Sequence, residues 1–144
     1  GGEPLERTFT SRALARAFSG RRAPLKAALL DQRAAAGLGN IYVDEALWRA
    51  RLHPLRPAGE LGQQELKTLR KAIREALEMG IVRQGASLRD YRDPAGRRGA
   101  MQDDFRVYGR TGEPCFRCGT PIEKTRVGGR GTWYCPSCQQ RDPS

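Results

Sequence analysis

The chain has 144 residues, 38 % hydrophobic and 29 % charged, with a mean hydropathy of -0.66, which suffices for one ordinary domain or two very small ones and excludes a large enzyme core. Net charge is +10, from 26 Lys and Arg against 16 Asp and Glu, and 22 of the 26 are Arg. No apolar run approaches the ~18 residues of a membrane span, so a soluble protein with no membrane partner is expected. The opening Gly1-Gly2-Glu3-Pro4 has neither a basic nor an apolar signal region, and it lacks an initiating Met, as a piece of a longer protein would. The excess of guanidinium groups favours a polyanionic partner, because the planar fork grips phosphate bidentately. The charge is not confined to a tail: there are 14 basic against 9 acidic residues through Gly80, and 12 against 7 beyond it.

Four helices are predicted from Thr10 to about residue 83. Thr10 can cap a helix over Ser11–Phe18, with Gly20 as its stop. Pro24 suits the first turn of a second, whose apolar face is Leu25, Ala28, Leu29 and Ala36, and Gly37 ends it. Asn40 is a good N-cap for a third helix over Ile41–Arg51, with Glu45 spaced to meet Arg49, and Pro54 and Pro57 stop it. Leu66, Leu69, Ile73, Ala76 and Leu77 then repeat at helical spacing over about Gln63–Arg83. Trp48 and the Leu/Ile stripe read as core, and His53, the only His, as a structural loop residue.

Gly37-Leu38-Gly39-Asn40 is the one helical connection that invites a ligand. Two glycines allow a sharp turn, and the helix start behind them offers free N–H groups and the positive dipole end to a phosphate. The bland alternative is a connection in which Asn40 only caps. A dinucleotide-binding fingerprint fits poorly, since a helix precedes the turn and no third glycine follows. Asp44 and Glu45 are adjacent in a helix and point apart, so they make no facing acid/base pair, and Ser87 has no His or Lys partner for a hydrolytic triad. Residues 85–110 are Gly-rich, charged and without periodicity, which predicts a functional loop or a connector.

All four cysteines lie in the last 30 residues, as Cys115-Phe-Arg-Cys118 and, 16 residues on, Cys135-Pro-Ser-Cys138. Each Cys-x-x-Cys forms a knuckle presenting two thiolates, and two knuckles close a tetrahedron around one structural zinc ion with no open position for chemistry. Disulfides would want a secreted context, and a redox motif needs one pair near a βαβ pattern. Between the pairs, two β-prone runs flank Gly128-Gly129-Arg130-Gly131, which predicts a hairpin whose tip presents Arg130, either to a phosphate or simply to solvent.

Taken together these residues resemble a known family. Asp31-Gln32-Arg33, Gly37-Leu38-Gly39-Asn40-Ile41-Tyr42-Val43-Asp44-Glu45-Ala46-Leu47 and His53-Pro54 resemble the helix-two-turn-helix region of bacterial formamidopyrimidine-DNA glycosylases. Ser87-Leu88-Arg89-Asp90-Tyr91, Val107-Tyr108-Gly109-Arg110, the Cys pairs and Gly128-Gly129-Arg130-Gly131-Thr132 continue the likeness over nearly the whole chain. The wording looks less like the endonuclease VIII branch. The resemblance implies a mostly α fold with a small β part: a four-helix helix-two-turn-helix domain (1–84), a lesion-capping loop and connector (85–110) and a four-cysteine zinc-finger hairpin (111–144).

The family removes oxidised purines such as 8-oxoguanine and formamidopyrimidines and then cuts the backbone by β,δ-elimination, using an N-terminal proline and a glutamate in a separate N-terminal catalytic domain. Pro4 follows Glu3 and cannot be that amine. The expectation is therefore the DNA-binding half of a bifunctional glycosylase/AP lyase, inactive alone, monomeric and cytoplasmic in a bacterium, at the nucleoid. Its partners would be damaged double-stranded DNA and the missing catalytic domain. By the resemblance, Asn40, with Gly39 before it, and Arg130 hold phosphates. Cys115, Cys118, Cys135 and Cys138 hold zinc. Ala86, Ser87, Leu88, Arg89 and Tyr91 belong to the loop over the flipped base. Ala86 stands where many relatives have Ser, Met101 where Phe is frequent, and Trp133 where His is frequent. Two other readings remain at this point: a stand-alone binding module for damaged or abasic DNA, and an RNA-binding zinc-ribbon protein.

Overall fold

A computed structural model describes residues 10–31, 39–91 and 105–141, with side chains defined except over 82–91. The described elements are α1 (Ser11–Phe18), α2 (Leu25–Asp31), α3 (Asn40–Ala50), α4 (Gln63–Tyr91), β1 (Glu123–Val127) and β2 (Arg130–Tyr134), with a short 3-10 turn at Ala58–Glu60. Four helices and one antiparallel hairpin make the expected mostly α fold with a small β part. None of the described helices is long and apolar enough to cross a membrane.

α1 starts where its cap requires, with the Thr10 hydroxyl accepting from Ala13 N at 3.0 Å. α3 differs from expectation at both ends. Its N-cap is Gly39 in extended backbone, and Asn40 is the first helical residue, its side chain turned away from capping. At the other end Arg51 takes a left-handed conformation (φ 60°) and its N–H returns to Leu47 and Trp48 oxygens, so the helix closes before the prolines act. Ahead of α4, Glu65 accepts from Gly62 N at 2.9 Å and takes a two-pronged contact from Arg56. α4 runs eight residues past the expected end, to Tyr91. Residues Ala86, Ser87, Leu88, Arg89 and Tyr91 thus sit on its last turns and not on a loop. No proline interrupts residues 58–93, and each glycine inside a helix costs only ~1 kcal/mol, too little to stop one this long.

The main core lies between the helices and is built from Leu14, Phe18, Leu25, Leu29, Val43, Leu47, Leu69 and Ile73, all at 1 % exposure or less. A second cluster joins Trp48 to Val107, Ile122, Cys115 and Cys135, so the finger packs on α3 through apolar contact. In the hairpin Val127 pairs with Arg130 across a two-residue turn, Gly128-Gly129, whose φ values of 58° and 79° suit glycine. Arg130 is therefore the first residue of β2 and not part of the tip itself. The expected Glu45–Arg49 pair is not formed: Arg49 faces Glu75 at 3.8 Å, and Glu45 is used elsewhere. Gly1, Glu3 and Pro4, the stretch Gln32, Arg33, Ala36, Gly37 and Leu38, the turn around Pro94, and Met101 lie outside the described residues.

Candidate nucleic-acid interface and metal centre

One ridge of α3 carries three polar side chains to the finger. Asn40, Asp44 and Trp48 recur every fourth residue and so lie one above another on the same face, and each touches the finger. Asn40 Nδ2 donates to Gly131 O at 3.2 Å, Asp44 Oδ2 accepts from Trp133 N at 3.1 Å, and Trp48 Nε1 reaches Cys115 Sγ at 3.4 Å. The result sets Arg130, adjacent in sequence to Gly131, beside the N-terminus of α3. Arg130 is exposed, and among the described residues no carboxylate pairs with it. Among the described residues, nothing lies within 4 Å of a Cβ built on Gly39.

Beneath the two candidate grips lies a fully buried ion pair. Lys26 Nζ, on α2, is 2.8 Å from Asp44 Oδ1, and it donates to Gly131 O and to Thr132 Oγ1, each at 2.9 Å. Two of the ammonium's three hydrogens thus have hydrogen-bond acceptors, and Asp44 Oδ1 meets it as a close ion pair. Thr132 then passes its own proton to Arg130 O at 3.0 Å. Burial holds the Lys26 ammonium below its ordinary range against the pull of Asp44. It also pushes the Asp44 carboxyl up to about 6, with Lys26 and the Trp133 N–H opposing. The pair is held by its short ionic contact together with the hydrogen bonds from Lys26 to Gly131 and Thr132 and from Trp133 N to Asp44 Oδ2, and it fixes the start of β2 relative to α2 and α3.

Glu45, the neighbour of Asp44, is also fully buried and points the other way. Its carboxylate accepts from the backbone N–H groups of Arg106, Val107 and Tyr108 at 2.8, 2.9 and 3.1 Å. It anchors the chain where it enters the finger. Gln139 makes a matching link, accepting from Cys135 N at 2.8 Å and donating to Leu52 O at 3.0 Å. His53 is a structural residue, as expected: its Nδ1 accepts from Leu55 N at 3.0 Å and its ring tilts against Tyr134.

The four cysteines converge. All four Sγ atoms lie within 4.8 Å of one another, with Cys115–Cys138, Cys118–Cys135 and Cys118–Cys138 at 3.8, 3.5 and 3.6 Å. A tetrahedron of thiolates about 2.3 Å from zinc has edges of about 3.8 Å, so the set fits one zinc ion. All four are free thiols, which removes the disulfide reading. Hydrogen bonding with Thr120 brings the Cys118 thiol down to about 6, while burial pushes Cys135 up to about 12. Chelation deprotonates both. Four protein ligands leave the metal a structural cross-link between the knuckles.

Sequence patterns singled out the four cysteines that converge here but missed Lys26, Asp44, Glu45 and Gln139 as the residues that join the parts. A lysine within the apolar run of α2 was the available signal.

A helix-two-turn-helix unit locked to a four-cysteine zinc finger is the class defined by this fold. Residues 1–92 match the family described as Formamidopyrimidine-DNA glycosylase H2TH domain, and residues 112–141 match the Zinc finger found in FPG and IleRS. The chain belongs to the formamidopyrimidine-DNA glycosylase family. It is 53 % identical over 140 residues to the enzyme of that name from Roseiflexus sp. (strain RS-1), covering 97 % of this chain and 51 % of the relative. The Chloroflexus aurantiacus protein is 52 % identical, with 96 % and 50 % covered. Among solved structures, Lactococcus lactis Fpg bound to DNA containing an abasic site superposes with a TM-score of 0.84 at 42 % identity, over 97 % of this chain and 51 % of that one. MutM in complex with DNA containing carbocyclic 8-oxo-G gives 0.83 at 41 %, with the same coverage. The chain spans about half the length of the relatives it matches.

Proposed function

We propose that these residues are the DNA-holding part of a bifunctional base-excision-repair enzyme, a glycosylase and AP lyase that removes oxidised purines such as 8-oxoguanine and formamidopyrimidines. The observation that carries this is the Asn40–Gly131 hydrogen bond, which brings the exposed Arg130 and the N-terminus of α3 to one place. One Nδ2 hydrogen of Asn40 is used on Gly131, and the second is available to a phosphate oxygen. Arg130 offers a bidentate fork to a neighbouring phosphate. Gly39 lets the backbone approach the strand without a side chain between them. Ala86, Ser87, Leu88, Arg89 and Tyr91, at the end of α4, are assigned to the part that covers the extruded base. The Ala86 side chain brings no hydroxyl to that contact.

Attack on the sugar is assigned to the half of the relatives that this chain does not match. Within these 144 residues Pro4 carries an amide nitrogen, with no lone pair free for a Schiff base. The test uses the chain on duplex DNA with and without 8-oxoguanine. Arg130→Ala should weaken binding to every duplex and lower the slope of log K against log salt by about one charge, whereas Asn40→Ala should weaken it at nearly constant slope. The unmodified chain should bind without excising the base. An unchanged salt slope in Arg130→Ala overturns the phosphate assignment, and borohydride trapping on intact 8-oxoguanine DNA overturns the division of labour.

A further inference from the structure

Trp48 does more than fill the second core. Its indole Nε1 lies 3.4 Å from Cys115 Sγ, and an indole N–H can only donate, so the sulfur is the acceptor. The backbone N–H of Arg117 reaches the same sulfur at 3.4 Å. Cys115 therefore receives one donor from its own knuckle and one from α3. The Arg117 guanidinium stacks 3.7 Å from the centroid of the Trp48 ring and donates Nη2 to the Trp48 main-chain oxygen. The indole is thus clamped between the finger and its own helix. Four thiolates on one divalent cation carry a net negative charge, which N–H donors and a nearby guanidinium both relieve.

We infer that Trp48 and Arg117 are positioning residues of the zinc centre: the indole N–H holds Cys115 in its ligating orientation, and the guanidinium fixes the indole and offsets thiolate charge. The metal is held partly by the helical domain, from the same ridge that carries Asn40. This rests on the assignment of the four cysteines to zinc. Loss of an outer partner of a metal ligand costs roughly 10–100-fold in metal affinity, and the indole supplies one such partner.

The test is Trp48→Phe in the full chain, which keeps an aromatic ring beneath Arg117 and deletes the N–H. Zinc affinity, measured by competition with a chromophoric chelator, should fall about tenfold. In the cobalt-substituted protein the sulfur-to-cobalt charge-transfer band should move to lower energy, because a sulfur lone pair without its hydrogen bond is less stabilised. A role in packing alone would leave that band in place. Should Trp48→Phe fail to fold, 3-benzothienylalanine at position 48 keeps the shape of the indole and lacks only the N–H, and the same two shifts are expected. Zinc affinity within twofold of the unmodified chain and an unmoved band in the folded variant overturn the inference. Failure of the unmodified chain to take up zinc or cobalt overturns the metal assignment itself.

Discussion

Replacing Lys26 with methionine should separate the finger from the helices. Lys26 and Asp44 are both fully buried, and Lys26 donates to Gly131 O and Thr132 Oγ1 while pairing ionically with Asp44 at 2.8 Å. Lys26→Met leaves the Asp44 carboxylate in the interior with one remaining donor, Trp133 N. Removing one partner of a buried pair costs about 3–5 kcal/mol, or roughly a hundredfold to several-thousandfold in the equilibrium for docking the hairpin. The double variant Lys26→Met/Asp44→Leu removes the stranded charge. In that variant Gly131 O still accepts from Asn40 and Thr132 still donates to Arg130 O, so of the groups that met the pair only the Trp133 N–H is left without its acceptor. It should recover at least 2 kcal/mol of the loss, by about the difference between a buried charge and a buried amide. Urea unfolding of the zinc-loaded chain at neutral pH, followed by tryptophan emission, measures both terms, since Trp48 and Trp133 each face the joint. A cost below about 1 kcal/mol for Lys26→Met, or single effects that simply add, would refute the claim that this pair locks the hairpin.

Cys135→Ser should abolish stoichiometric zinc and unfold the finger, whose metal contributes on the order of 10 kcal/mol; zinc content by atomic emission together with duplex affinity checks this, and full values for both would contradict it. Glu65 gives a pH signature. Its hydrogen bonds from Arg56 hold the carboxyl below its ordinary value of 4.5, so its stabilisation is present above that value and is lost as pH falls through the lower folded one. The stability gap between the unmodified chain and Glu65→Gln should therefore close on acidification; a gap of constant size across that range would show that the Arg56 contact has no ionic component.

Local signals in the sequence carried the helices well where a cap or breaker marked them. Thr10 fixed the start of α1 because a threonine hydroxyl reaches the free N–H groups of the turn after it. The cysteine spacing was legible because a knuckle is a local object. What escaped was long-range. Lys26 and Thr132 meet across more than a hundred residues, and nothing in either neighbourhood announces the other. Glu45 was expected to pair with Arg49 along the helix, but three backbone N–H groups from 106–108 offer a buried carboxylate more than a single flexible guanidinium at the surface does. Arg130 was placed in the tip because four residues there looked turn-like; two glycines with positive φ complete the turn by themselves, which returns Arg130 to the strand. α4 outran the apolar stripe read from its sequence because no proline interrupts it before Pro94.

The ridge of α3 sets a limit on how this protein can vary. A helix advances about 100° per residue, so one residue inserted between Asp44 and Trp48 would swing the indole about a quarter-turn off Cys115 while leaving Asn40 and Asp44 in place. One inserted between Asn40 and Asp44 would part the amide that meets Gly131 from the buried pair beneath it. α3 is therefore counted out to the residue, like the teeth of a key. Differences in length among chains of this architecture should spare the eleven residues from Asn40 to Ala50.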